Sequence, residues 1–205
     1  MRYTEKMRIL KLSSKNFKEI IKITTELIGQ GKVIVYPTDT VYGLVCDATN
    51  KKAIQRLFKI KKRPLKKSIP IFVKDIKMAK KFAKIDKKQE RFLRKSWPGK
   101  ITTILKSEIQ NLKFKIYGVD KRTIALRIPN QKLVLGLLKE INKPLSGTSA
   151  NVSDRPASTK IKEVLKQFEN QKYQPDLVID AGNLPKSKPS TILDLTTEPP
   201  KILRI

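Results

Sequence analysis

Residues 33–44 read Val33-Ile34-Val35-Tyr36-Pro37-Thr38-Asp39-Thr40-Val41-Tyr42-Gly43-Leu44, and this stretch decides the class of fold. Four successive apolar or aromatic residues make a short strand buried on both faces, as in a sheet covered by helices. Pro37 halts the strand, because proline donates nothing to a ladder. Upstream, residues 14–28 read as a helix capped by Ser14, with Phe17, Ile20, Ile21, Ile23 and Leu27 as its apolar stripe and Gly29-Gln30-Gly31 as its end. Downstream, helical periodicity at 50–60, 74–94, 131–141 and 161–168 alternates with strand-like runs at 69–73, 101–105, 123–128, 177–180, 191–195 and 202–205. A further strand is expected at 7–10. This alternation predicts an α/β (α+β) sheet protein.

The chain has 205 residues, 39% of them hydrophobic, enough to bury one core, so residues 7–205 are expected to form a single domain behind a loose leader at 1–6. No stretch reaches the roughly 18–20 apolar residues of a membrane helix and the start lacks the apolar run of a signal peptide, so no membrane association and a cytoplasmic location are expected. Cys46 is the single cysteine, which excludes an internal disulfide. The absence of histidine removes Ser-His-Asp and Cys-His nucleophile systems and all His-ligated metals. What remains suits positioning anions and neutralising charge. The formal net charge of +28 comes from 46 basic residues against 18 acidic ones. Their dispersal along the chain reads as a lysine bias that serves solubility, with weak RNA or tRNA binding as the other reading.

Neither the P-loop nor the Gly-rich dinucleotide fingerprint is present. Three polar clusters stand out instead. In the first, an extended 38–42 segment would set the hydroxyls of Thr38, Thr40 and Tyr42 on one side, whereas the plain alternative is a turn joining two strands. In the second, Lys61-Lys62-Arg63-Pro64, proline disfavours the helical region at Arg63, so an extended backbone would put Lys61 and Arg63 on one face as a phosphate clamp. A solvated basic run is the alternative. The third is Ser146-Gly147-Thr148-Ser149-Ala150-Asn151, where Gly147 lets the backbone approach a ligand and Ser149 and Asn151 offer a hydroxyl and an amide; it also reads as a turn. Arg127, between Leu126 and Ile128, needs a carboxylate or phosphate partner, which a structural Asp or Glu also supplies.

In order and spacing, P-T-D-T-V-Y-G-L, K-x-R-P, S-W-P-G-K-I-T, T-x-x-x-R-I-P, S-G-T-S-A-N and P-S-T-I-L-D resemble the threonylcarbamoyl-AMP synthase family, the YrdC/Sua5/TsaC group, over nearly the whole chain. The resemblance implies a twisted mixed β-sheet flanked by helices with a deep basic cavity. It implies that L-threonine, bicarbonate and ATP give threonylcarbamoyl-adenylate and pyrophosphate, for the N6-threonylcarbamoyladenosine modification of tRNA by downstream transfer proteins. The family's Lys-Arg-Ser-Asn tetrad falls on Lys61, Arg63, Ser149 and Asn151. Thr38, Arg127 and Ser190 match threonine-holding positions, and Thr123 and Arg204 match nucleotide-contacting ones. Mg²⁺ is expected to arrive on the triphosphate rather than in a protein cage. The chain departs from the pattern at Lys100, where proline is common, and at 66–70. Its end just after Arg204 resembles the short, single-domain TsaC-type form. The competing readings are a non-catalytic RNA-binding protein of the same fold and carbamoyl-adenylate chemistry, the latter disfavoured by the lack of acylphosphatase or zinc-finger segments.

Overall fold

The computed structural model describes residues 7–112 and 115–205, so the expected leader at 1–6 lies outside the described residues. In chain order the elements are β1 (Arg8–Lys11), α1 (Phe17–Gly29), β2 (Ile34–Tyr36), β3 (Gly43–Val45), α2 (Lys51–Lys61), β4 (Ile71–Phe72), α3 (Ile76–Phe82), α4 (Lys87–Ser96) and β5 (Ile101–Lys106). They continue with β6 (Thr123–Arg127), α5 (Lys132–Ile141), β7 (Leu145–Ser146), β8 (Thr148–Ser149), α6 (Ile161–Phe168), β9 (Leu177–Asp180), β10 (Thr191–Asp194) and β11 (Lys201–Arg204). The strands form two mixed sheets rather than one. The first runs β1-β9-β2-β3-β8 and the second β11-β10-β5-β6-β4-β7.

The continuous apolar run of β2 has the expected cause. Val33 and Val35 pack with α2 and α6 through Leu57, Phe58, Val164 and Phe168. Ile34 and Tyr36 pack on the opposite face with α1 and α5 through Ile20, Ile28, Leu137 and Leu138. Helices therefore cover both faces of the first sheet, and each fully buried side chain of this size stabilises the fold by about 1.5–3 kcal/mol. The second sheet is covered on one face by α3 and α4, where Met78, Phe82, Leu93 and Trp97 meet Leu105, Ile124 and Leu126. Strand alternation turns Thr102, Ile104, Ala125 and Arg127 to the other face, and register pairs Ile104 with Ala125 and Thr102 with Ile192.

Two local expectations are corrected. Ser14 does not cap α1; Asn16 holds that position, with its Oδ1 accepting from Ser13 instead of from the helix. The segment after α2 is not extended from Lys61, because Lys61 is the last helical residue and Lys62 closes the helix in the left-handed region, φ 49°. Asparagine, aspartate and glutamine caps start the other long helices: Asn50 accepts from Ala53 N, Asp86 forms a capping box with Gln89, and Gln131 accepts from Val134 N.

Candidate functional site

The turn between β2 and β3 takes the plainer of the two forms the sequence allowed. It is a hairpin connection, since the two strands pair antiparallel. It also supplies Thr38, Thr40, Val41 and Tyr42 to the wall of a cavity of about 280 Å³, to which both sheets contribute. Thr38 Oγ1 donates to Val41 O at 2.6 Å and accepts from Thr40 N at 3.0 Å, which curls the segment and brings the two threonine hydroxyls to 3.0 Å. The expected row of three hydroxyls is not formed. Tyr42 turns its phenol to Gly182 O at 2.6 Å and accepts from Ala181 N.

Across the cavity, Arg127 at the end of β6 meets Asp39 of the same turn, Nη2 to Oδ1 at 2.6 Å, with side chains only 4% and 9% exposed. Its Nε donates to Gly99 O at 2.8 Å, and Asp39 Oδ2 accepts from Asn130 N. Burial pulls the guanidinium below its ordinary pKa, and Asp39 pulls it back up. The partner required by an arginine in an apolar strand is thus internal. Arg204 on β11 donates through Nε and Nη2 to Ser190 O, at 3.1 and 2.6 Å, and Ser190 Oγ lies 2.9 Å from Thr102 Oγ1. Arg127, Ser190 and Arg204 all line the cavity. Thr123, at the start of β6, shares the strand face of Arg127 but is not part of the wall.

The four residues Lys61, Arg63, Ser149 and Asn151 come together, but with divided roles. Lys61 is 2% exposed, and its ammonium donates to Ser149 O at 2.6 Å, Asn151 O at 2.9 Å and Asn151 Oδ1 at 3.0 Å. Ser149 Oγ donates to the same Asn151 Oδ1 at 2.6 Å, and Asn151 Nδ2 donates to Val152 O and Arg155 O. Arg63 and Ser149 line the cavity; Lys61 and Asn151 stand behind the wall and fix the loop that carries Ser149. Arg63 itself clips the loop that follows it, with Nε donating to Lys67 O and Nη2 to Ser68 O. Gly147 is required for a reason the sequence did not reveal: a Cβ there would lie 2.3 Å from the Phe72 ring.

Burial, helped by the Arg63 charge, pushes the Lys61 pKa down to about 7 from 10.5. The unfolded chain then binds the extra proton between those values, so this group makes unfolding free energy rise with pH across that window. Its penalty is complete below about pH 7 and relieved toward 10.5. Lys61→Met should flatten the rise, by roughly 2–3 kcal/mol between about pH 7 and 9.5, in urea denaturation of both proteins. Parallel pH curves for the two proteins contradict the depressed value.

Two mixed sheets with helices packed on them, and a cavity walled by side chains of both that include Arg63, Arg127 and Arg204, give an α/β protein with a candidate ligand cavity. Residues 26–205 match the Sua5/YciO/YrdC family model, described as telomere recombination, and the chain belongs to that family. It is 33% identical over 186 residues to the threonylcarbamoyl-AMP synthase of Pyrococcus abyssi, covering 90% of this chain and 53% of that protein. The chain therefore spans about half the length of that relative. It is 32% identical to a putative threonylcarbamoyl-AMP synthase of Methanocaldococcus jannaschii, covering 97% of this chain and 90% of that one. The structure of P. abyssi Sua5 complexed with L-threonine superposes with a TM-score of 0.81 at 29% identity, covering 97% of this chain and 56% of that one. Among the described residues no helix is long and apolar enough to cross a membrane.

Proposed function

We propose that this chain is an L-threonylcarbamoyladenylate synthase, acting in the cytoplasm. The observation that carries the reading is convergence: Thr38, Arg63, Arg127, Ser149, Ser190 and Arg204 come from well-separated segments and line one cavity. The Pyrococcus abyssi neighbour that binds L-threonine and the relatives named as synthases support the catalytic reading over an RNA-binding one. Bicarbonate and the threonine amine condense to a carbamate as a C–O bond of bicarbonate breaks and water leaves, and a carbamate oxygen attacks the α-phosphorus of ATP. A P–O bond to the carbamate forms as the bond to pyrophosphate breaks, with Mg²⁺ carried by the nucleotide.

Such a step needs alignment and charge neutralisation rather than a covalent nucleophile, which agrees with a chain lacking histidine. Arg63 neutralises phosphate charge, Ser149 holds a phosphate oxygen, and Lys61 with Asn151 fixes Ser149. Thr123 and Arg204 serve the nucleotide end. Thr38, Ser190 and Arg127 hold threonine, Arg127 through the part of its guanidinium that Asp39 and Gly99 leave open. The unstable product passes to transfer proteins that modify tRNA.

Pyrophosphate release with ATP, Mg²⁺ and bicarbonate, compared across L-threonine, L-serine and no amino acid, tests the proposal. Threonine-dependent release is the expected result. Release that ignores threonine, or no release from protein that still binds ATP, removes the synthase reading.

A further inference from the structure

A second concavity, of about 560 Å³, opens beside α3 and shares no wall residue with the first. We propose that it is a ligand site for a phosphomonoester carrying an apolar or aromatic body. Lys77 and Lys81 stand one helical turn apart on α3 and Lys74 precedes its cap, so all three fall on the groove side. Among the described residues none of the three has a carboxylate within ion-pair distance, whereas Lys80, on the same helix, is taken by Glu90. Lys143, on the opposite lip, is paired with Asp47 at 3.0 Å.

Charge accounting selects the ligand. Asp75 is the carboxylate on the wall, and it is turned to cap α3 through Met78 N at 2.6 Å. Three unpaired ammonium groups against one carboxylate leave two excess positive charges. A phosphomonoester carries about −1.5 to −2 at neutral pH, which matches that excess. The floor is apolar, with Met78, Phe82 and Pro144 buried beneath the charged rim. A free inorganic anion would leave it empty, and a neutral apolar molecule would leave the ammonium groups unmatched. The volume lies within the range of sites for drug-sized molecules, about 300–1,000 Å³.

The sequence holds three methionines, of which Met78 lies in the groove, so a ¹³C-methyl methionine spectrum reads occupancy directly. Phenyl phosphate should give a saturable Met78 shift with affinity at least about tenfold tighter than inorganic phosphate or phenol, which carry only the charge or only the body. Lys77→Glu/Lys81→Glu should weaken binding about tenfold or more. Both side chains are exposed, so the variant tests charge rather than folding. In the unmodified protein, raising salt from about 50 to 200 mM should weaken phenyl phosphate binding several-fold. An unmoved Met78 methyl, equal response to inorganic phosphate, unchanged binding in the charge-reversed variant, or indifference to salt each overturns the proposal.

Discussion

Replacing Asp39 with alanine is expected to lower the unfolding free energy by about 3–5 kcal/mol, the range for stripping one partner from a buried ion pair. The 2.6 Å contact to Arg127 joins the hairpin turn of the first sheet to β6 of the second, and both side chains are nearly excluded from solvent. Alanine leaves the buried guanidinium with Gly99 O and the face of the Phe72 ring but no counter-charge among the described residues, and removes the acceptor of Asn130 N. Most of the expected cost is therefore that of an uncompensated charge and an unmade hydrogen bond, not the net strength of the pair. Asp39→Ala/Arg127→Met should recover part of the loss, because the stranded cation goes with it. Urea denaturation of wild type, single and double variants at neutral pH measures the cycle. A single-variant loss below about 1 kcal/mol, as for an exposed pair, means that the cavity hydrates Arg127 and that the two sheets are held by packing instead.

Strong periodicity made the long elements legible. The runs that became α2, α5 and α6 have apolar positions at helical spacing, and β2 has no polar residue to leave one face open. A strand end was expected at 143–145, which touches β7 only at Leu145, and the two-residue strand β8 escaped, because the residues around Gly147 carry no period and the pairing of β7 with β4 and of β8 with β3 is set by partners far along the chain. Arg127 announced that it needed an anion, yet Asp39 lies 88 residues away and reads locally as a turn residue. The same locality limit hid Gly147: its need for a bare Cα comes from Phe72, on a neighbouring strand. At Lys61 the expected geometry was wrong. Alternation along an extended backbone was expected, but the helix runs one residue further and the ammonium points at the Ser149–Asn151 loop.

That difference sharpens what to expect at the neighbouring positions. Arg63→Ala should reduce turnover in the pyrophosphate-release assay by about 10²–10³-fold, the cost of losing one preorganised donor to developing charge. Lys62→Ala should change it little. Lys62 is exposed in the left-handed cap of α2, whereas Arg63 is half-buried and forms part of the cavity wall. Arg63 also holds the 64–68 loop through Lys67 O and Ser68 O, so alanine removes charge and loosens the rim together. Arg63→Lys separates these contributions: it retains a positive charge but not the planar fork that reaches two carbonyls and a ligand at once. If charge near phosphate dominates, lysine restores most of the turnover; if the fork dominates, it behaves like alanine. Equal losses for Lys62→Ala and Arg63→Ala contradict the assignment of Arg63 to the nucleotide, because both variants remove one positive charge and only one opens the cavity wall.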